Sequence, residues 1–547
     1  MTRLCQGLGV ASLPPVPTGA AVIVAALEDA GVEVCFGLPG VHNLALWEAL
    51  RHSPIRLVGV RHEQAAAYAA DGYARATGRL GVAITTTGPG AANTLGAVGE
   101  AWASRSPVLV IATDIPTTLR REGVYRGVLH ETENQADLFG PVTDARLVVR
   151  AAAEVGEAVV SAIAATANRP VYLEVPTDLL SAEARAAAAP PRRGHPEPGD
   201  VTEAAAALAA AERPLVWAGA GARDAAGEVA ALAAHLGAPV LTTYGGRGVI
   251  APGHPCAVGL PPHAPAAGRL WDEADLVVAV GSDLDGMNTQ NWAMPQPPAV
   301  VAVNVDPADA TKNYAVAHVV ESDAAAGCRA LTGDGTREVW ADLRAVRREG
   351  CSALDGRALR FLDAFSHGLP ADAVVVCDMC IPGYWVGGFH PFRAPRRLLY
   401  PVGWGTLGFG FPAGLGAALA GQGPAVVLCG DGGFLFACGE LATVAQERLP
   451  LTTVIVDDGG YGMLRFDQDQ AGAERYGVDL ATPDFEALAR AFGLRAQTVE
   501  GLDDAFGEAL AEHVSDPEPS VLVARAEALV PPPTTSPQWY RRRHVAP

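Results

Sequence analysis

The feature that most constrains this 547-residue chain is a repeated alternation of short apolar runs with alanine-rich stretches long enough for a helix. The runs fall into three groups. The first holds "VCFGLP", "IRLVGV", "GVAITTT", "VLVIATD" and "VYLEVP", and the second "PLVWAG", "PVLTTY", "DLVVAVG" and "AVVAVNV". The third holds "AVVVCD", "AVVLCGD", "TTVIVDD" and "SVLVAR". Runs this apolar suit strands buried on both faces, and a helix between strands is what parallel pairing requires. Two breaks separate the groups: the proline-rich "AAAAPPRRGHPEPGD", a linker, and the charged "TGDGTREVWADLRAVRREGCSALDG", which could also form a helix. The expected fold is therefore α/β: three doubly wound parallel-sheet domains, at residues 15–186, 200–345 and 355–535.

With 49% hydrophobic and 18% charged residues, the chain can fill three cores and does not read as disordered. A net charge of -20 argues against nucleic-acid or anionic-membrane partners. No apolar run is long enough to cross a bilayer, and "MTRLCQGLGVASLPPVP" makes a poor signal peptide, so a soluble, cytoplasmic protein is expected. Nine scattered cysteines read as free thiols rather than a disulfide frame. Cys377 and Cys380 form one C-x-x-C without the further ligands of a zinc site, and read as two thiols ending a buried strand. Lys312 is the single lysine, which leaves Schiff-base and phosphate-loop lysine chemistry almost without a candidate.

Ligands of such sheets sit where strands end and helices begin. The strand ends carry "FGLPGVH" with His42, "RHEQ" with Glu63, "TTTGPGAAN" with Asn93 and "YRGVLHETENQ" with His130. Each has a structural reading: an acid in a first helical turn complements the helix dipole, and a lone histidine commonly satisfies a loop. "GAGARD" (219–224) is an incomplete dinucleotide fingerprint. The third group carries more. One strand ends in Gly430-Asp431-Gly432-Gly433, and the next strand ends in Asp457-Asp458-Gly459-Gly460. If those strands are parallel neighbours, Asp431 and Asp458 come close and repel unless a cation lies between them. Hard oxygen ligands suit Mg²⁺ completed by phosphate, which Gly432 and Gly433 amides at a helix start could face. The residues thus predict a magnesium–diphosphate site.

Here the chain resembles the thiamin diphosphate-dependent enzymes, specifically their acetolactate synthase-like branch. The likeness rests on the Gly-Asp-Gly segment with its polar pair two dozen residues on, and on "HEQAAAYAADGYAR", "TTGPGAAN" and "GWGTLGFGFPAGLGAALA" (403–420), in order along nearly the whole chain. It implies pyrimidine-binding, central and diphosphate-binding domains, with active sites shared between subunits of a homodimer or homotetramer. By the resemblance, Glu63 bonds the aminopyrimidine, a role suited to a raised carboxyl pKa, and Leu407 bends the cofactor. Gly405 and Leu407 hold the pyrimidine edge; Asn93, Gly432, Gly433, Tyr461 and Gly462 complete the cofactor contacts; Asp431, Asp458 and the Gly460 carbonyl bind magnesium. His42 and His130 are candidates for proton transfer.

The implied activity is C–C bond cleavage or formation on a 2-oxo acid through a C2 carbanion, with decarboxylation and transfer to a second carbonyl. The alternative is a non-oxidative decarboxylase that releases an aldehyde, and a third reading is a non-catalytic cofactor-binding subunit. Four positions depart from the acetolactate synthase pattern. The metal pair is Asp-Asp instead of asparagines, with Asp457 unexplained. "CDMCIPGYW" (377–385) lacks a Gln-His pair, and Leu407 stands for a methionine. "GSDLDGMNTQNW" (281–292) replaces a flavin-binding segment, which speaks against FAD.

Overall fold

A computed structural model describes residues 16–121, 123–188 and 196–533. The N-terminal "MTRLCQGLGVASLPP", with Cys5, and part of the first break lie outside the described residues. Three parallel sheets follow one another along the chain.

The first is built from β1 (Val34–Gly37), β2 (Arg56–Gly59), β3 (Gly81–Thr85), β4 (Val108–Asp114), β5 (Ala145–Val148) and β6 (Val171–Pro176), in the order β2-β1-β3-β4-β6-β5. The second holds β7 (Pro214–Ala218), β8 (Val240–Thr242), β9 (Leu276–Val280), β10 (Val300–Asn304) and β11 (His318–Glu321), in the order β11-β10-β9-β7-β8. The third holds β12 (Val374–Cys377), β13 (Leu398–Leu399), β14 (Ala425–Gly430), β15 (Leu451–Asp457), β16 (Arg495–Glu500) and β17 (Ser520–Arg525), in the order β13-β12-β14-β15-β17-β16. Renumbered from its own first strand, the third sheet has the same order as the first. Each therefore has a switch point, between β1 and β3 and between β12 and β14, where a crevice opens at the carboxyl ends.

Four strands, β5, β11, β13 and β16, escape the reading of apolar runs, and all are edge strands. β5 has no fully buried position and β16 only one, so no continuous apolar run marks them, while β13 has only two residues. The charged break contains a helix, Leu343–Ser352, whose start is capped by Asp342 accepting from the Arg344 and Ala345 amides.

One core joins the first and third sheets. The helix Glu63–Thr77 is buried around almost its whole circumference and crosses the equally buried helix Gly410–Leu419. Two glycines make the crossing possible: a Cβ on Gly72 would clash with the Ala413 carbonyl, and one on Gly416 with the Ala69 carbonyl. The small-residue contact brings the backbones together and fixes the start of the Glu63 helix against the third sheet.

Candidate active site

At the end of the first sheet, His42 follows β1, and its Nδ1 lies 2.8 Å from Thr87 Oγ1, itself 2.9 Å from Thr113 Oγ1. The His130 ring meets His42 edge-on with centroids 5.5 Å apart. His130 adopts a left-handed backbone (φ 67°), and its carbonyl presses on Gly88, where a Cβ would lie 2.7 Å away. Burial and the neighbouring His130 lower the His42 pKa, with Asp114 opposing them. His130 Nδ1 is buried without a hydrogen-bond partner. Asn93 Nδ2 donates to Glu63 Oε2 at 3.0 Å, and Glu63 opens its helix after His62, whose Nδ1 accepts from the Gln64 amide. Thus four of the expected residues, His42, Glu63, Asn93 and His130, gather at the carboxyl edge of one sheet.

Residues the sequence reading missed support them. Glu440, from the third-sheet domain, accepts from the Arg61 amide at 2.9 Å and the His62 amide at 3.0 Å, clamping the entry to Glu63. Gln135 accepts from the Gly88 amide at 2.5 Å and donates to Tyr172 and Glu174. Burial and the charge on Asp114 push the Glu174 carboxyl up to about 7. No motif marks these residues, because their partners are distant in sequence.

At the end of the third sheet, β14 and β15 pair with Gly430 opposite Val456, which sets Asp431 and Asp458 at adjacent strand ends as the spacing predicts. Burial and the neighbouring Asp458 raise Asp431 to about 7; burial also raises Asp458 to about 6, with the Arg465 guanidinium opposing. Asp431 Oδ2 is buried without a hydrogen-bond partner. Gly432 packs under the Tyr461 ring, where a Cβ would lie 2.6 Å from Cε1, and a Cβ on Gly462 would lie 2.9 Å from Asp458 Oδ2. A Cβ on Gly433 would meet Asp378 Oδ2 at 3.1 Å and Leu407 Cδ1 at 3.3 Å, so Leu407 stands beside the Gly-Asp-Gly turn. The Gly460 segment is gripped by Arg465, which donates to the Asp458 carbonyl at 2.7 Å and to the Gly459 carbonyl.

Two expectations change. The helix after Asp431 is one short turn, Asp431–Leu435, and the Gly432 amide donates to Asp431 Oδ1 at 2.7 Å, so that amide is not free for a phosphate. Asp457 now has an explanation: it accepts from Thr482 Oγ1 at 3.1 Å and faces Arg525 on β17, so it braces the strand end, while its charge adds to that of Asp458 in raising Asp431.

The orphaned Asp431 oxygen, the two repelling carboxylates and the glycine cradle fit a cation with a phosphate. Among the described residues no group of three or more His, Cys, Asp or Glu side chains converges on a metal position, so a cation here would need phosphate or water ligands as well. Cys377 is a buried thiol pushed well up by burial, in keeping with a strand-end role. Lys312 is paired with Asp283 and Asp309. The "GAGARD" glycines serve packing: the Gly221 amide donates to the Gly281 carbonyl at 2.9 Å. Among the described residues no helix is long and apolar enough to cross a membrane.

Comparison with known proteins gives a consistent pattern. Residues 17–138 match the N-terminal TPP binding domain of thiamine pyrophosphate enzymes, 201–331 their central domain, and 380–524 their C-terminal TPP binding domain. A probable 2-ketoarginine decarboxylase of Pseudomonas aeruginosa is 36% identical, over 89% of this chain and 90% of its own length. A probable acetolactate synthase large subunit of Methanocaldococcus jannaschii is 30% identical over 94% and 93%. An acetolactate synthase of Mycobacterium bovis is 32% identical over 90% and 86%.

Proposed function

As the chain belongs to the family of thiamin diphosphate enzymes of the carboligase or decarboxylase type, we propose that it is a magnesium-dependent, non-oxidative 2-oxo acid decarboxylase acting as a homo-oligomer. Thiamin diphosphate, when bound, supplies the carbon nucleophile and the electron sink that loss of CO₂ requires. The chain's own residues do the rest. Asp431, Asp458 and the Gly460 carbonyl would hold Mg²⁺, a role supported by the partnerless Asp431 oxygen. Gly432, Gly433, Tyr461 and Gly462 line the diphosphate side. Gly405 and Leu407 would receive the pyrimidine ring, and Glu63, steadied by Asn93, would hold the carboxyl proton to be exchanged there.

The exposed apolar Val41, Tyr125 and Leu129 around the histidine pair support a site completed by a second copy. Flavin is not part of this reading.

The observation that favours decarboxylation over carboligation is the His42–His130 pair with its unpartnered Nδ1, a group able to supply the proton needed at the carbon that loses CO₂ before an aldehyde can leave. The relative named for 2-ketoarginine makes a 2-oxo acid with a cationic terminus the first substrate to test. Acetolactate formation from pyruvate is the second reading, supported by the relatives named acetolactate synthases. Enzyme loaded with thiamin diphosphate and Mg²⁺ should release CO₂ and an aldehyde from 2-ketoarginine or a related 2-oxo acid. Acetolactate from pyruvate as the main product would replace this reading with the second, and no CO₂ from any 2-oxo acid would end both.

A further inference from the structure

Glu100, on the helix Leu95–Ala103, is fully buried and reaches two domains at once. Its Oε1 accepts from Arg75 Nη2 at 3.1 Å and Ser104 Oγ at 2.7 Å, both in the N-terminal domain. Its Oε2 accepts from the Trp404 amide at 3.0 Å and from Thr406 Oγ1 at 3.3 Å, both in the loop that carries Gly405 and Leu407. Arg75 is held by Asp71 at 2.6 Å, donates to the Tyr400 carbonyl at 3.0 Å, and lies 4.8 Å over the Phe409 ring. The loop sits directly on the helix: a Cβ on Gly99 would clash with the Trp404 ring, and one on Gly403 would lie 2.5 Å from Ala103 Cβ. From the other side, buried Asp378 accepts from the Gly408 amide at 3.0 Å and the Gly410 amide at 3.1 Å. Carboxylates thus pin positions 404, 406, 408 and 410, and Gly405 and Leu407 are the residues left between the pins.

We propose that Glu100 is a positioning residue for the cofactor: through Oε2 it fixes the Gly405–Leu407 segment of its own chain, and through Oε1 it ties that segment to the helix that carries Glu63. This rests on the cofactor reading given above. The role needs a carboxylate because all four partners are donors. A glutamine has one acceptor oxygen and would turn its NH₂ toward donors on one side, so it cannot serve both domains. Asp71 still pairs with Arg75 when Glu100 changes, so the loop, rather than the fold, carries the loss.

The test measures thiamin diphosphate affinity at saturating Mg²⁺, by circular dichroism and by the fluorescence of half-exposed Trp404, beside the melting temperature of the cofactor-free protein. Glu100→Gln should weaken cofactor binding by about tenfold or more, the scale of a lost hydrogen bond to a charged group. Thr406→Val leaves the Arg75 cluster intact and should weaken binding by about threefold to tenfold, with an unchanged melting temperature. A wild-type chain that binds cofactor, together with a Thr406→Val variant that binds equally well, overturns the proposal, whatever Glu100→Gln does to stability. A wild-type chain that binds no cofactor overturns the cofactor reading and this proposal with it.

Discussion

Asn93 donates to Glu63 across 3.0 Å and so orients a carboxylate that opens a helix buried almost all round. Glu63→Gln keeps a side chain of the same shape but cannot exchange a proton. It should bind thiamin diphosphate within about threefold of wild type while turnover falls by about 10²–10⁴, the range for losing a general acid–base group. Asn93→Ala leaves the acid in place but loose, and a smaller fall of about tenfold is expected. Turnover of 2-oxo acids by Glu63→Gln at the wild-type rate would refute the assigned role.

Glu174 gives a pH dependence whose sign is fixed. Its folded pKa is about 7 against an ordinary 4.5, because burial and Asp114 disfavour the anion. The folded state therefore keeps a proton that the unfolded chain gives up. The associated stability is full below about pH 4.5, declines as pH rises, and is gone above about pH 7. Glu174→Gln stays neutral throughout and can still accept from Tyr172. Melting curves of this variant should fall less steeply than wild type between those pH values, by up to about 3 kcal/mol across the window. Parallel curves would show that Glu174 titrates normally.

The residues that could be read from sequence are those whose partners are close along the chain or marked by a repeated motif. The thirteen apolar runs announce three parallel sheets, and the spacing of Asp431 and Asp458 follows from one strand–helix–strand unit. What escaped depends on contacts between distant segments. Edge strands such as β16 lack an apolar run because few of their positions are fully buried; in β16 there is one. Glu100, Glu440 and Asp378 look like ordinary acids until the third domain folds against the first, and Asp457 cannot be told from Asp458 until Thr482 and Arg525 arrive beside it. The Gly432 amide differs from the expectation for a local reason: the Asp431 carboxylate accepts its hydrogen bond.

The crossing of the helices Glu63–Thr77 and Gly410–Leu419 leaves no room for a methyl group at Gly416, where a Cβ would clash with the Ala69 carbonyl and lie 2.5 Å from the Tyr73 amide nitrogen. Backbone cannot move aside as a flexible side chain would. Gly416→Ala should therefore destabilise the protein by about 3 kcal/mol or more, at or beyond the usual range for overpacking, and disturb cofactor binding as the Glu63 helix shifts. Gly227→Ala is the control: it lies in the helix Ala226–Leu236 with open space around it, and should stabilise by about 0.5–1 kcal/mol. Equal denaturation midpoints for the two variants would contradict the packing argument.

The paired aspartates at the end of β15 make a sharper prediction, because neighbouring residues should behave oppositely. Asp458 stands at the strand end beside Asp431 and, with burial, raises its proton affinity, whereas Asp457 acts on Asp431 more weakly and is engaged by Thr482 and faces Arg525. Asp431→Asn removes the oxygen that lacks a partner and half of the charge facing the cation, so Mg²⁺-dependent cofactor binding should weaken by about 100-fold, the upper scale for a changed metal-site carboxylate. Asp458→Asn keeps an oxygen ligand and relieves repulsion in the empty site, and a loss of about tenfold or less is expected. Asp457→Asn can still accept from Thr482 and should leave Mg²⁺ and cofactor affinity within about twofold of wild type, with a stability change under about 1 kcal/mol. Titration of the three variants with Mg²⁺ at fixed thiamin diphosphate, read by circular dichroism, separates them. An Asp457→Asn loss as large as that of Asp431→Asn would mean that the metal is held from the other side of the strand end.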